Sequence, residues 1–196
     1  MKLGAQFIFL YIEGITPAHF AAIHCNCAYI VALQEAGAEL NIQNNKGNTP
    51  AHTAVLELVF NEEKQEEIYT ALCKTVVDPD IQNKEGLTLS HLAALKGYLA
   101  CIKTIHQKGA DLDKKDKQGN TPAHWAAAEM HADVLAFLLQ AGADLNAQNS
   151  HGSTPAHLAA RINDRELIKG DGAQASVNMI NTLIQANVNL NIQDED

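Results

Sequence analysis

Four copies of the tetrad Thr-Pro-Ala-His punctuate this chain of 196 residues. They begin at Thr16, Thr49, Thr121 and Thr154, and a degraded copy, Thr-Leu-Ser-His, begins at Thr88. The intervals between successive copies are 33, 39, 33 and 33 residues. Self-similarity at this period predicts a stack of like units, in which each unit contacts only its neighbours. Such a stack offers a long surface to a partner, whereas a globular enzyme encloses a pocket.

Each tetrad predicts the start of a helix. Threonine is a good N-cap, and proline suits the first helical position because the N–H that it lacks would have no helical partner there. In the fourth unit an alanine-rich helix follows, then a second helix with the apolar pair Leu138 and Leu139, which Gly142 ends. The polar stretch after that glycine predicts a hairpin-like turn. Aligned on the tetrads, the units are residues 13–45, 46–84, 85–117, 118–150 and 151–196, preceded by a capping segment, 1–12.

The recurring motifs Gly-x-Thr-Pro-x-His-x-Ala-Ala and Leu-Leu-x-x-Gly-Ala-Asp-x-Asn are similar to those of the ankyrin repeat family, over residues 13–196. The resemblance implies an all-α solenoid of helix-turn-helix units with β-hairpin-like fingers, whose fingers and inner helices form a concave face. Insertions near 61–67 and 168–176 depart from the pattern, and both are candidate contacts. We expect the first to lengthen its helices and the second to form an exposed loop. Val76 stands where glycine usually ends the outer helix, so a different turn is expected there.

One histidine recurs at the same place in every unit, as the last residue of the tetrad. Just inside a first helical turn, an imidazole can hydrogen-bond backbone groups of its own unit and of the adjacent unit. We therefore expect structural ties between units at His19, His52, His91, His124 and His157. No nucleophile–base signature and no glycine-rich phosphate loop accompanies them, so the sequence predicts no catalytic residue and no cofactor.

A metal site is the alternative interpretation of His24, Cys25 and Cys27, but no second ligand pair with zinc-site spacing is present. We therefore predict no metal, and we interpret these cysteines, together with Cys73 and Cys101, as reduced thiols in the cytoplasm. The net charge of −9 argues against binding to nucleic acid, because phosphates repel an acidic chain. The apolar run in the capping segment is too short for a membrane span and lacks the cleavage site of a signal peptide.

An apolar stripe is predicted along the inner helices. The residue after each histidine and the residue three places further on share one helical face. The family resemblance implies that the second of these positions faces the concave groove and is usually polar, whereas several are aliphatic here. The stripe and its charged neighbours are Phe20, Ile23, Leu56, Leu92, Leu95, Trp125, Glu129 and Arg161. Packing beneath the fingers is the alternative explanation of these apolar residues.

The fingertips supply a second candidate contact. Lys114, Lys115 and Lys117 form the one basic cluster of this acidic chain, which suits an acidic partner; a solvated turn is the alternative. We interpret the chain as a non-catalytic protein–protein interaction module, with Trp125 and Phe20 as apolar anchors. The alternative is a targeting domain of a larger or host-directed effector protein that acts in the host cytosol. We expect a monomer that binds another protein, of unknown identity.

Overall fold

The structure is a computed structural model that describes residues 13–24, 26–57, 73–74, 78–161, 172–186, 188–189 and 191–194. Nine helices have defined bounds within these residues, which contain no strand. The helices are α1 (Pro17–Ile23), α2 (Cys27–Glu35), α3 (Pro50–Glu57), α4 (Leu89–Lys96), α5 (Leu99–Gln107), α6 (Pro122–Ala128), α7 (Ala132–Gln140), α8 (Pro155–Ala160) and α9 (Gly172–Gln185).

The helices form two stacked rows. The inner helices pack against one another in the order α1, α3, α4, α6 and α8, and the outer helices α5, α7 and α9 pack in a parallel row. Within a unit the inner helix packs on its outer helix, as in the pairs α1–α2, α4–α5 and α6–α7. This is the stack of like units that the period of the sequence predicts, and it is the all-α solenoid that the family resemblance implies.

The inner helices begin where the tetrads place them. Thr16 has an extended backbone, and its side chain accepts a hydrogen bond from the backbone N–H of His19. The backbone N–H of Thr16 donates in return to Nδ1 of His19, over 3.2 Å. This reciprocal pair is a capping box in which histidine takes the place of the usual glutamate or glutamine. The degraded tetrad keeps the box, because Thr88 donates to Nδ1 of His91 in the same way although leucine replaces proline.

Each finger is a tight turn closed by one side chain. Oδ1 of Asn83 accepts from the backbone N–H groups of Glu85, over 3.0 Å, and Leu87, over 2.9 Å. Gly86 takes the left-handed conformation that this turn requires, with φ at 82°. The same two side-chain bonds are made by Asn44, Asp116 and Asn149 in the other fingers.

Adjacent fingers are joined through their backbones. The N–H of Lys84 donates to the carbonyl of Lys46 over 3.0 Å, and the N–H of Lys117 donates to the carbonyl of Glu85 over 3.1 Å. The approach is so close that a Cβ placed on Gly86 would lie 2.7 Å from the backbone nitrogen of Lys117. Glycine is therefore needed there for space as well as for backbone conformation.

Small residues set the spacing of the inner row. Ala22, Ala54, Ala93 and Ala126 are completely buried, which lets neighbouring inner helices approach closely. The outer row is filled by larger aliphatic side chains instead. The largest of these among the fully buried residues of α5 and α7 are Ile102, Ile105, Leu135 and Leu138. Each such burial contributes roughly 1.5–3 kcal/mol relative to exposure.

Two sequence-based expectations need correction. Cys73 and Cys101, from successive units, form a disulfide, so the prediction of reduced thiols is wrong for this pair and no longer supports a cytoplasmic location. The loop predicted at 168–176 is wrong for its second half, because α9 already begins at Gly172. Residues 168–171 lie outside the described residues. So do the capping segment 1–12, the first insertion at 61–67, and Val76.

We expect Gly86→Ala to destabilise the solenoid more than Gly109→Ala does. Both glycines have left-handed backbones, so alanine costs about 1–2 kcal/mol at either position. A Cβ at Gly109 meets nothing within 4 Å, whereas at Gly86 it meets the next finger, which adds about 1–3 kcal/mol. Urea denaturation followed by circular dichroism measures the difference. Equal losses at the two positions would show that the fingers can separate without cost.

Candidate protein-binding surface

The tetrad histidines join each unit to the next. Nδ1 of His19 lies 2.8 Å from Oγ1 of Thr16, and Nε2 lies 2.8 Å from the backbone carbonyl oxygen of Asn48, in the next unit. The corresponding Nε2–carbonyl distances are 3.1 Å from His52 to Leu87, 3.0 Å from His91 to Asn120 and 3.0 Å from His124 to Ser153. His157 keeps the bond to its own threonine, over 2.8 Å.

These contacts define the protonation of the rings. A carbonyl only accepts, so Nε2 carries the proton, and Nδ1 is the bare nitrogen that accepts from threonine. Burial favours this neutral form and lowers the pKa of His52 to about 4, against a smaller raising effect of the carbonyl bond. Burial likewise lowers the pKa of His19, His91 and His124. With both nitrogens engaged, the four rings act as structural links and offer no lone pair to a metal.

The metal alternative gains no geometric support. Cys25 lies outside the described residues, and so does the side chain of Cys27. Across the part of the chain that the structure describes, no three side chains of histidine, cysteine, aspartate or glutamate are grouped so that they could hold a metal ion.

The predicted stripe is exposed at one end only. Phe20 and Leu56, on α1 and α3, are exposed, and Ile23 between them is partly exposed. Leu92 on α4 is completely buried and packs with the core around α1 and α3. It therefore cannot contact a partner, and its inclusion in the stripe is a misassignment: packing beneath the fingers explains it. Leu95, one helical turn further, is partly exposed.

Trp125 is fixed by a finger. Its side chain is partly buried on α6, and its indole Nε1–H donates to Oδ2 of Asp116 over 3.0 Å. Asp116 stands at the turn position that asparagine occupies in the other three described fingers, and its Oδ1 makes the usual turn bonds. The second carboxylate oxygen is thus available to the indole. Asp116 was not among the site residues predicted from the sequence, although it is the one aspartate at a turn position that asparagine occupies in three other fingers.

The charged candidates have unequal surroundings. Lys115 donates from Nζ to the backbone carbonyl of Gln148 over 2.9 Å, so it ties its finger to the next one. Lys117 is exposed at a fingertip, and Lys114 is partly buried. Glu129, the residue that follows α6, is exposed. Arg161 is also exposed, and its Nη2 lies 3.6 Å from a carboxylate oxygen of Asp194.

A family model of ankyrin repeats, in three copies, matches residues 56–149 and 91–194. The chain belongs to the ankyrin repeat family. Ankyrin repeats generally mediate protein–protein interaction, and the histidine link described above joins each of the first four units of this domain to the next. Among the described residues, no helix is both long and apolar enough to cross a membrane.

Known proteins resemble this domain over part of their length. It is 36% identical to NF-kappa-B inhibitor alpha of Sus scrofa over 99 residues, which are 48% of this chain and 30% of the relative. It is 29% identical to the nuclear factor NF-kappa-B p105 subunit of Gallus gallus over 98 residues, 50% of this chain and 10% of the relative. A stretch of 42 residues, 20% of this chain, is 50% identical to a putative ankyrin repeat protein of Fowlpox virus (strain NVSL) and covers 6% of that relative. The domain thus spans less than a third of each of these relatives.

The buried histidines predict that the domain becomes less stable as the pH is lowered. Their folded pKa values lie below the unfolded value of 6.5, so below that pH the unfolded chain binds protons that the folded chain does not. The stabilisation is fully present above pH 6.5 and is lost towards pH 4, with about 3 kcal/mol from His52. Urea titrations across this range measure it. A flat profile in the parent chain would contradict neutral buried rings.

Asp116→Asn tests the contact that fixes Trp125. Asparagine keeps the turn, as it does in the other fingers. Its single side-chain oxygen is then engaged in the turn, and its amide nitrogen only donates, so neither accepts from the indole N–H. The indole N–H then loses its acceptor, at a cost of about 1–3 kcal/mol. Trp125 is the one tryptophan of the chain, so tryptophan fluorescence reports on it alone. In the variant the emission should shift to the red, and acrylamide should quench it more strongly.

Asp113→Asn is the matched control for this fluorescence experiment. It removes the same charge from an exposed side chain of the same finger, whose Oδ1 accepts from the backbone of Asp144. Asparagine keeps that acceptor, so emission should not change. Equal spectra for both variants and the parent chain would mean that Asp116 does not position the indole.

Proposed function

We propose that this ankyrin domain binds a partner protein through its concave face and performs no catalysis. The observation that carries the proposal is an apolar group on consecutive inner helices, in which Phe20 and Leu56 are exposed and Ile23 is partly exposed. Exposed apolar side chains gathered on one face mark interfaces, and the core of an interface is depleted in charge. The buried histidines link the units to one another, and the exposed apolar side chains are available to contact a partner.

The charged groups lie towards the other end of the same row of helices. Glu129 follows α6, Arg161 follows α8, and Lys117 stands on the finger that leads into α6. We propose that a partner segment places apolar side chains over α1 and α3 and polar or acidic ones nearer α6 and α8. Trp125 lies between these regions as a preset aromatic contact, and Leu95 completes the surface on α4.

A double variant, Phe20→Ser with Leu56→Ser, tests this surface. Both side chains are exposed, so the domain should stay folded while its affinity for the partner falls at least tenfold, about 1.4 kcal/mol. Val31→Ser is the control, because Val31 is equally apolar and exposed but lies on the outer helix α2. Quantitative affinity capture compares the three proteins. Partners retained by the double variant, or lost with Val31→Ser, would contradict binding through the concave face.

We also propose a second role, as the targeting module of a larger or host-directed effector protein. The matched relatives favour it, because this domain corresponds to only 6–30% of their length. The test is the extent of the reading frame that encodes the domain in its genome. A further domain in the same frame supports this role, and a frame that encodes these 196 residues alone contradicts it.

A further inference from the structure

The outer helices share one register, which identifies their two packing positions. The outer helices α2, α5, α7 and α9 are compared by counting back from the last residue of each. The sixth residue before the last is, in that order, Tyr29, Cys101, Val134 and Met179. The fifth before the end is Ile30, Ile102, Leu135 or Ile180. Neighbouring residues lie about 100° apart around a helix, so these two positions face different sides.

The disulfide shows which side is which. Cys101 is bonded to Cys73 of the preceding unit, so the first of the two positions faces backwards along the stack and the second faces forwards. In the interior helix α7 both sides are covered, because Val134 and Leu135 are completely buried. The interior contact between units therefore consists of a forward side on one outer helix and a backward side on the next.

On α2 and α9, the first and last outer helices that the structure describes, the pattern separates. On α2 the backward residue Tyr29 is 47% exposed, whereas the forward residue Ile30 is buried. On α9 the backward residue Met179 is buried, whereas the forward residue Ile180 is 54% exposed.

The forward side of α9 is an apolar stripe. Ile184, 60% exposed, and Val177, 49% exposed, lie four residues after and three residues before Ile180, on the same helical face. This exposed face is aliphatic, as are Ile102 and Leu135, the covered forward residues of α5 and α7.

We infer that the forward side of α9 in one molecule docks on the backward side of α2 in a second copy of this chain. The second copy is the occupant that the structure specifies, because each molecule carries both halves of the interior contact in the same register. Stacking them would cover Tyr29 and Ile180 as Val134 and Leu135 are covered inside the domain. The contact is head-to-tail and does not close on itself, so it adds molecules in a row. The monomer expected from the sequence is then the dilute form.

Sedimentation velocity of the full chain tests the inference. The weight-average mass of the parent protein should rise with concentration to at least twice the 21.2 kDa of one chain. Ile180→Glu and Tyr29→Glu should each keep the protein at one chain, because each places a charge in one half of the contact. Asn181→Glu adds the same charge to an exposed neighbouring position of α9 and should associate like the parent. Ile184→Glu is a second variant of the stripe in case Ile180→Glu does not fold.

Mixing the two blocked variants is the decisive measurement. Tyr29→Glu keeps an intact α9, and Ile180→Glu keeps an intact α2, so an equimolar mixture should form pairs of twice the single mass and grow no further. A parent protein that stays at one chain at all concentrations overturns the inference, as would happen if an unrelated protein covers this face. Association that survives Tyr29→Glu but not Ile180→Glu also overturns it, because two like ends would then be in contact.

Discussion

The solenoid depends on the hydrogen bond from a buried neutral imidazole to the backbone carbonyl of the next unit. In His19, His52, His91 and His124 the same ring also accepts from the threonine that starts its helix, so the helix start and the next finger are held by one side chain. Burial keeps the ring neutral, and neutrality leaves one nitrogen to accept while the other donates. Packing and hydrogen bonding thus depend on each other in these four units.

The fingers also hold side chains of the proposed binding surface in place. Asp116 closes its turn with one carboxylate oxygen and holds the indole of Trp125 with the other. An aromatic side chain that is already held in place loses little conformational freedom on binding, which favours affinity. Lys115 shows the reverse case, because a side chain that looked available for an acidic partner is used to join two fingers.

The sequence predicted the features that are encoded locally. Threonine caps, the repeat period and the glycines after the helices each act within a few residues, so the inner helices begin where the tetrads place them. Burial depends on neighbours some thirty residues away, which is why the core position of Leu92 and the pairing of Cys73 with Cys101 were not predicted. The start of α9 at Gly172 was not predicted for the same reason. Glycine and serine indicated a loop there, whereas packing of Met179 and Leu183 on the core stabilises a helix.

The direction of the histidine bonds has a consequence for synthesis. The linking bonds of four tetrad histidines all point towards the C-terminus. Each of these rings reaches a carbonyl that lies 29 or 35 residues later in the chain, and the rings are those of His19, His52, His91 and His124. A unit that has just left the ribosome therefore has its helix start but not the acceptor for its ring. The unit forms its linking hydrogen bond only after the following finger has emerged. Folding of the growing chain therefore lags behind its synthesis by one unit.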